Sequence, residues 1–195
     1  MKTLLVLMGG SGSGKTTVAR KLEECGYKRL ITTTTRPKRN GEKDGVDYHF
    51  VTPEEFRRLP KIEEVLYSGF WYGLTVHEIE EKGIQYDRLV VVLEKEGAQA
   101  LTLPMTKVRG FHNANLVKQL YGNQVDIVFL AISPVEMKRR LRERGDPPDS
   151  IQERFRQAHE RNEFDPPEFV DLVVENTNVE ETVRQILEHQ KRMKK

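Results

Sequence analysis

Cysteine and long apolar runs are both scarce in this chain of 195 residues, whose one cysteine is Cys25. A single cysteine excludes an internal disulfide framework and fits a reducing compartment. No stretch approaches the ~18 consecutive apolar residues that a helix needs to span a bilayer. The apolar run at the N-terminus is too short for a signal peptide and leads directly into a glycine-rich loop. We therefore expect a cytoplasmic protein that does not bind membranes.

A large excess of charge of either sign is also lacking. Lysine and arginine total 32, aspartate and glutamate total 30, and the formal net charge is +2. This balance provides no standing attraction to polyanions, so nucleic acid is not an expected partner. The length predicts one domain, which we expect to act as a monomer or a homodimer.

The most informative motif that is present lies at residues 9–17. Gly9, Gly14, Lys15 and Thr16 fit the spacing G-x-x-x-x-G-K-[ST], with a strand pattern before them and a helical pattern after. Glycines let successive backbone N–H groups curl around a phosphate chain, and the start of the helix adds positive charge. Lys15 can reach the β- and γ-phosphates, and the Thr16 hydroxyl can ligate Mg²⁺. The residues predicted to bind a nucleoside triphosphate are Gly9, Gly10, Ser11, Gly12, Ser13, Gly14, Lys15, Thr16 and Thr17.

Strand and helix patterns alternate along most of the chain. Continuous apolar runs at 89–93 and 125–132 are typical of strands buried on both faces of a parallel sheet. Further strands are predicted at 27–33, 48–51, 62–67 and 171–174, an aromatic turn at 69–73, and helices that begin after Thr52, Thr75, Ser133 and Ser150 or span 179–195. This order predicts an α/β fold, a three-layer αβα arrangement around a parallel central sheet. Glu94 follows a buried strand, where the ligand crevice of such sheets lies.

One segment interrupts the alternation and predicts a division of the domain. Residues 34–86 are expected to form an inserted acceptor-binding subdomain. Residues 141–164 are a candidate helical lid, which leaves a core of 1–33, 87–140 and 165–195. The arginines of the two helices around Gly145 fit either a solvated surface or a lid that closes over triphosphate, and composition does not choose between them. Arg36 and Arg39 lie in the inserted segment, where paired arginines can clamp a second phosphate.

Four blocks make the chain resemble the guanylate kinases, a family of nucleoside monophosphate kinases, over nearly its whole length. The first is the phosphate loop. The second, TTRPKRNGEKDGVDYHFV from Thr34, is similar to the family pattern T-T-R-x-P-R-x-G-E-x-x-G-x-D-Y-x-F-V. The third, GFWYG, is similar to G-x-Y-Y-G, and the fourth, RLRERG followed by Arg154, is similar to the lid pattern R-L-x-x-R-G with a later arginine.

The resemblance implies phosphoryl transfer from MgATP to GMP, giving ADP and GDP, and it implies a role for each matching residue. Lys15, Arg36, Arg140, Arg144 and Arg154 would act on the transferred phosphoryl group, and Asn176 would lie near the adenine of ATP. Glu63 would accept hydrogen bonds from guanine, which suits an acceptor-only carboxylate. The implied GMP-binding residues are Thr32, Arg36, Arg39, Tyr48, Glu63, Tyr72, Thr75 and Glu94. The expected cofactors are ATP and Mg²⁺.

Four features depart from the family pattern. The proline of the second block is displaced to Pro37, and Leu74 replaces a serine or threonine, with Thr75 one place later. Val92 and Glu94 stand where the family has D-x-D, and residues 98–124 form a longer segment than the family has. The first three concern recognition of the acceptor.

The departures leave alternatives open. A related ATP-dependent kinase could act on another phosphorylated small molecule, such as a ribose bisphosphate or a different nucleotide. A non-catalytic binding module of the same fold need not keep Lys15 and Thr16, which are intact here. A regulatory GTPase is disfavoured because no motif specific for a guanine triphosphate is present.

Overall fold

A computed structural model of the chain describes residues 2–102, Val117, Tyr121 and 124–193. The strands are β1 (Thr3–Met8), β2 (Lys28–Arg29), β3 (Thr33–Thr34), β4 (His49–Phe50), β5 (Lys61–Tyr67), β6 (Phe70–Thr75), β7 (Arg88–Val92), β8 (Val125–Ala131) and β9 (Leu172–Glu175). The helices bounded within these ranges are α1 (Lys15–Glu24), α2 (Pro53–Arg58), α3 (Val76–Gln85), α4 (Lys95–Thr102), α5 (Pro134–Glu143), α6 (Pro148–Glu160) and α7 (Val179–Met193).

The central sheet has five parallel strands in the order β2-β7-β1-β8-β9. Every residue of β1 is buried, because side chains alternate between the two faces of a strand and helices cover both faces. Leu5 and Leu7 pack on one side with α1 and α7, whereas Leu4 and Val6 belong to the core on the other side. The predicted parallel sheet and the strands at 89–93 and 125–132 are confirmed, within one residue at each end.

A second sheet of four strands, in the order β4-β3-β6-β5, lies in the segment predicted to be inserted, except that β3 begins one residue before it, at Thr33. The single strand predicted at 27–33 is wrong, because β2 belongs to the central sheet and β3 to the second sheet. The chain changes partners between them. The Leu30 N–H still donates to the Val90 carbonyl at 2.9 Å, but the Ile31 N–H donates to the Glu78 carboxylate at 2.6 Å. The boundaries 34–86 and 141–164 stay predictions.

The aromatic turn predicted at 69–73 is also wrong, since most of it is strand β6. β5 and β6 are antiparallel, and Ser68 (φ 51°) and Gly69 (φ 80°) form the tight turn between them. Positive φ at both central residues matches the right-handed twist of the strands. The aromatic residues that follow the glycine favour a strand because their side chains pack well on a pleated surface.

Three predicted helix starts are confirmed by their caps. The hydroxyls of Thr52, Thr75 and Ser133 each accept from the N–H three residues later, and Thr52 completes a capping box with Glu55. The last predicted helix is confirmed from Val179 to Met193, and residues 194–195 lie outside the described residues. Most of the unassigned 98–124 segment also lies outside them. Within the described ranges, no helix is long and apolar enough to cross a membrane.

Candidate active site

One cleft of about 850 Å³ lies where the carboxyl ends of the central strands, the second sheet and the α5–α6 pair meet. This is the edge at which parallel α/β sheets bind ligands. The predicted site residues that line it are Ser11, Gly12, Gly14, Lys15, Thr16, Thr17, Thr32, Arg36, Arg39, Tyr48, Glu63, Tyr72, Glu94, Arg140, Arg144, Arg154 and Asn176. Residues that are far apart in sequence therefore come together at one site.

The phosphate loop forms the floor of the cleft, and two of its glycines cannot carry a side chain. Gly9 has a φ of 141°, and a Cβ there would lie 2.4 Å from the Leu130 carbonyl oxygen. Gly14 has a φ of 89°, and a Cβ there would lie 2.2 Å from Asn176 Nδ2. That amide donates to the Ser13 carbonyl at 2.8 Å, so Asn176 braces the loop from β9. Gly9, Gly10 and Ser13 support the loop from outside the cleft lining.

Lys15 and Thr16 lie in the first turn of α1, at the positive end of the helix dipole. Lys15 Nζ donates to the carbonyl oxygens of Gly9 at 2.6 Å and Gly10 at 3.2 Å, so its ammonium lies back along the loop. Thr16 is exposed to the cleft. An ammonium group and an exposed hydroxyl at a helix N-terminus suit a polyphosphate.

Arg140 ties the loop to its surroundings. Its guanidinium donates to the carbonyl oxygens of Asn176 at 2.6 Å and Gly12 at 3.2 Å, and to Glu136 at 2.7 Å. Because these contacts join α5, the loop after β9 and the phosphate loop, Arg140 holds the loop in shape in this structure.

Arg144 and Arg154 are held by Asp146 in the turn between α5 and α6. Arg144 Nε donates to Asp146 at 2.7 Å, and Arg154 Nε lies 3.7 Å from the same carboxylate. The hydrogen bond from Arg144 lowers the pKa of Asp146, and Arg154 lowers it further, although burial opposes them. Arg154 also donates to the Ser11 hydroxyl at 3.0 Å, which brings α6 onto the phosphate loop.

Arg36 and Arg39 face these arginines from the loop between β3 and β4. Arg36 is 6% exposed, donates to Glu42 at 2.7 Å and lies 5.4 Å from the centre of the Tyr48 ring. Loss of hydration lowers the pKa of Arg39, and the like charges of three neighbouring arginines (Arg36, Arg154 and Arg144) lower it further. A concentration of guanidinium groups that repel one another is a site prepared for anions.

Tyr48 and Tyr72 stand beside Arg36. Their rings meet edge to face with centroids 5.8 Å apart. Burial raises the pKa of Tyr48 to about 12, so its phenol stays a neutral donor at physiological pH. Thr32 is 9% exposed and lines the same end of the cleft.

Glu63 lies on β5 and is 3% exposed. Its Oε1 accepts from the Leu74 N–H at 2.9 Å, whereas its buried Oε2 has no hydrogen-bond partner in the described part of the chain. A Cβ at Gly97 would lie 2.5 Å from Oε2, so the glycine leaves room for the carboxyl group. Burial and the charge of Glu94 together raise the pKa of Glu63 to about 8, although the hydrogen bond from Leu74 opposes them. The buried Oε2 of Glu63 can therefore accept a hydrogen bond from a donor on a ligand.

Thr75 is the predicted acceptor residue that the structure does not bring into the cleft. It is 7% exposed, and its hydroxyl accepts from the Glu78 N–H at 3.3 Å as the cap of α3. Leu74 is fully buried in the core and offers Glu63 its backbone only. Thr75 therefore does not take the place of the family serine or threonine.

The sequence analysis did not select Glu42, Tyr67 or Glu163 as candidate site residues. Tyr67 lines the cleft, and the alternation of β5 places it on the face of Glu63. Glu163 is 7% exposed, and burial with the charge of Glu94 raises its pKa to about 7, while Lys15 acts to lower it. The alternation of side chains along the predicted strand was the signal that could have placed Tyr67 at the site. Glu163 lies in an irregular segment after α6, where no local pattern marks it.

Comparisons with known proteins find similarity over almost the full length of this chain. A model of the family described as guanylate kinase matches residues 1–192. A guanylate kinase from Synechococcus sp. (strain JA-3-3Ab) is 33% identical over 190 residues, covering 94% of this chain and 79% of the relative. One from Salinibacter ruber is 33% identical over 196 residues, covering 95% and 94%. The crystal structure of guanylate kinase from Anaplasma phagocytophilum is 25% identical with a TM-score of 0.67, covering 98% of this chain and 85% of that one. The expected phosphate-loop αβα fold is confirmed.

Proposed function

Because the chain belongs to the guanylate kinase family, we propose that it transfers the γ-phosphoryl group of MgATP to GMP, giving ADP and GDP. The observation that carries this proposal is the pairing of two anion-binding groups across one cleft, with the unpartnered Glu63 oxygen at the acceptor end. A single anion site would serve binding alone. Two facing sites can hold a donor and an acceptor in line for transfer.

The donor half consists of the phosphate loop and the α5–α6 arginines. Backbone N–H groups of residues 9–17 surround the β-phosphate, and Lys15 exchanges its carbonyl contacts for phosphate oxygens. Arg144 and Arg154 exchange Asp146 for the triphosphate in the same way. Asn176 fixes the loop from the side where the adenine enters.

Mg²⁺ fits the donor half. It binds proteins through few oxygen ligands and keeps contacts to substrate phosphates and water. The exposed Thr16 hydroxyl meets that requirement, and Glu94 lies in the lining of the same cleft. When bound, the ion neutralises charge on the phosphate oxygens.

The acceptor half holds GMP by its two ends. Arg36 and Arg39 pair with the phosphate, and the phenols of Tyr48 and Tyr72 donate to it. At the other end the Glu63 carboxylate accepts from the guanine N–H groups, which supply the donors that Oε2 lacks. Thr32 and Glu94 line the space around the base.

Catalysis then consists of positioning and charge neutralisation. The acceptor phosphate oxygen attacks the γ-phosphorus as the bond to the β-phosphate oxygen breaks, and the β-phosphate leaves as ADP. Arg36, Arg144 and Arg154 surround the transferred group, where developing charge is stabilised by groups already in place. The cleft requires no covalent intermediate with the protein.

The proposal is tested by coupled ADP detection with a panel of acceptors: GMP, AMP, IMP and ribose bisphosphates. We expect ATP turnover that depends on GMP and exceeds turnover with AMP by at least about 100-fold, since Glu63 matches guanine donors. Turnover supported by a sugar phosphate and not by GMP would assign the other kinase activity instead.

Recognition of GMP is expected to depend on pH through Glu63. Its carboxyl group has a raised pKa of about 8, so it is largely protonated at pH 7, whereas guanine donors require the carboxylate. Between pH 7 and 8.5, kcat/KM for GMP should rise about eightfold and kcat at saturating GMP should stay nearly constant. Initial rates at both pH values check this. A phosphate group is already mostly ionised at pH 7 and does not account for such a rise. A falling or flat kcat/KM would contradict the assignment.

A further inference from the structure

Glu63 lies beside an irregularity in β5. Lys61 pairs with Thr75 of β6, whereas Glu63 pairs with Leu74, so the register shifts between the two positions. An irregularity of this kind bends a strand and changes the direction of the side chains beside it. In this position the Glu63 carboxyl group accepts through Oε1 from the Leu74 N–H at 2.9 Å.

Two glycines enclose Glu63. A Cβ at Gly73 on β6 would lie 2.7 Å from the backbone carbonyl oxygen of Glu63, so this glycine lets the two strands approach each other. A Cβ at Gly97 on α4 would lie 2.5 Å from Oε2, 2.8 Å from Cδ and 3.2 Å from Cγ of the same residue. The space that a side chain at position 97 would take is therefore occupied by the Glu63 carboxyl group.

Backbone conformation does not account for a glycine at position 97. Gly97 lies in the first turn of α4, where the Ala98 N–H donates to the Glu94 carbonyl at 2.9 Å. Its φ lies outside the positive range that other residues avoid. Alanine is more favourable than glycine in a helix, so the backbone alone would be stabilised by a side chain here. The feature that requires glycine is the neighbouring carboxyl group.

The turn that carries Gly97 is held on both sides. Ala98 is fully buried in the core, and Glu96 accepts at 2.7 Å from Arg161, the residue that follows α6. A backbone packed in this way moves less easily than the end of a flexible side chain. A methyl group at position 97 would therefore displace the Glu63 carboxyl group and leave the helix in place.

We propose that Gly97 is a positioning residue that determines specificity for the base of the acceptor: the absence of a side chain lets the Glu63 carboxyl group lie where its Oε2 meets the guanine donors. This inference rests on the proposed function, in which Glu63 binds guanine. Hydrogen bonds tolerate only a narrow range of distance and direction, so a shift of about 1 Å is enough to lose the match.

Gly97→Ala is the test, with turnover of GMP and of AMP measured by coupled ADP detection. We expect kcat/KM for GMP to fall about 100-fold, which is the loss that a displacement of about 1 Å can cause. The loss should appear mainly as a raised KM for GMP, and the ratio of GMP to AMP turnover should fall with it. The affinity for a non-hydrolysable ATP analogue, measured by calorimetry, should stay within about twofold, because Gly97 is not part of the cleft lining.

A second substitution separates this role from general damage to α4. Glu63→Asp shortens the side chain by one methylene and withdraws the carboxyl group from position 97, which by itself lowers kcat/KM for GMP. Adding Gly97→Ala to this variant should cost less than about threefold more, because the methyl group enters space that the carboxyl group has left. A glycine needed only for the folding of α4 would cost the same factor in both backgrounds.

Lys95→Ala is the control for a change in the same turn. Lys95 is the first residue of α4, and its side chain does not line the cleft. Its replacement should leave kcat/KM for GMP within about twofold of the wild-type value.

A Gly97→Ala variant that keeps the wild-type kcat/KM for GMP, or equal costs in the two backgrounds, overturns the inference alone when the wild type turns over GMP. If Gly97→Ala does not fold, a folded double variant would still assign the clash to the Glu63 carboxyl group, and an unfolded one would overturn the inference. A wild type without GMP turnover contradicts the proposed function and overturns the inference with it.

Discussion

Replacing Lys15 with methionine is expected to lower kcat about 1,000-fold while the protein stays folded. Methionine keeps the length of the side chain and removes the ammonium, the one lysine that lines the cleft in the described part of the chain. Charge that is already in place where the phosphoryl group transfers stabilises the transition state more than the ground state, and one such group contributes factors of about 10² to 10⁵. Steady-state rates with ATP and GMP check the loss.

Lys21→Met is the control for that experiment. Lys21 lies on the same helix, α1, and pairs with Glu24 at 2.7 Å on the surface. Its replacement should leave kcat within about twofold, as exposed ion pairs contribute little. Lys15→Met activity within about tenfold of the wild type would show that the loop does not act on the transferred phosphate. Absence of turnover in the wild type as well would favour a non-catalytic binding module of the same fold.

Much of the central sheet and the phosphate loop could be predicted because their signals are local. Continuous apolar runs indicate the buried strands. The helix caps at Thr52, Thr75 and Ser133 each depend on two residues that are three positions apart. The glycines at 9 and 14 follow from the spacing of the motif, although the reason for them, the approach of Leu130 and Asn176, is visible only in the fold.

The second sheet could not be predicted equally well, because its pairing is decided by distant partners. Nothing near Ile31 indicates that its N–H turns to the Glu78 carboxylate and so takes the chain out of the central sheet. The glycines at 69 and 73 form a pattern that is typical of a turn, so the sequence did not predict strand β6. Only the pairing with β5 identifies this strand.

The candidate site shows the same limit. The family pattern supplies the identities of the arginines and tyrosines but not their partners in the structure. Arg140 donates to Gly12 in the phosphate loop and to Asn176 beside it, and Thr75 caps a helix. Tyr67 matches no part of the quoted patterns, and its place in the cleft lining follows from contacts with Tyr72 and Arg161 across the fold. Roles toward bound nucleotides stay predictions for the experiments above.

Replacing Glu63 with glutamine is expected to lower kcat/KM for GMP about 100- to 1,000-fold at pH 8. The amide has nearly the shape of the carboxyl group, so Leu74 keeps an acceptor, but an NH₂ donor replaces the oxygen that has no partner. Guanine would then present donors to a donor in a buried site, and a buried polar group left unpaired is what makes such sites selective. Adenine offers an acceptor beside a donor, so the ratio of AMP to GMP turnover should rise.

Three further measurements separate this explanation from general damage to the protein. The increase of kcat/KM between pH 7 and 8.5 should disappear in Glu63→Gln, because the group with a pKa of about 8 is gone. Its melting temperature should not fall, since a neutral amide is easier to bury than a carboxylate. Glu64→Gln, at the next position on β5 and paired with Lys61 at 3.3 Å, should retain both the activity and the pH profile of the wild type. If Glu63→Gln instead kept its preference for GMP, recognition of the base would have to come from another part of the cleft, and the buried carboxyl would serve only to hold Leu74 in β6.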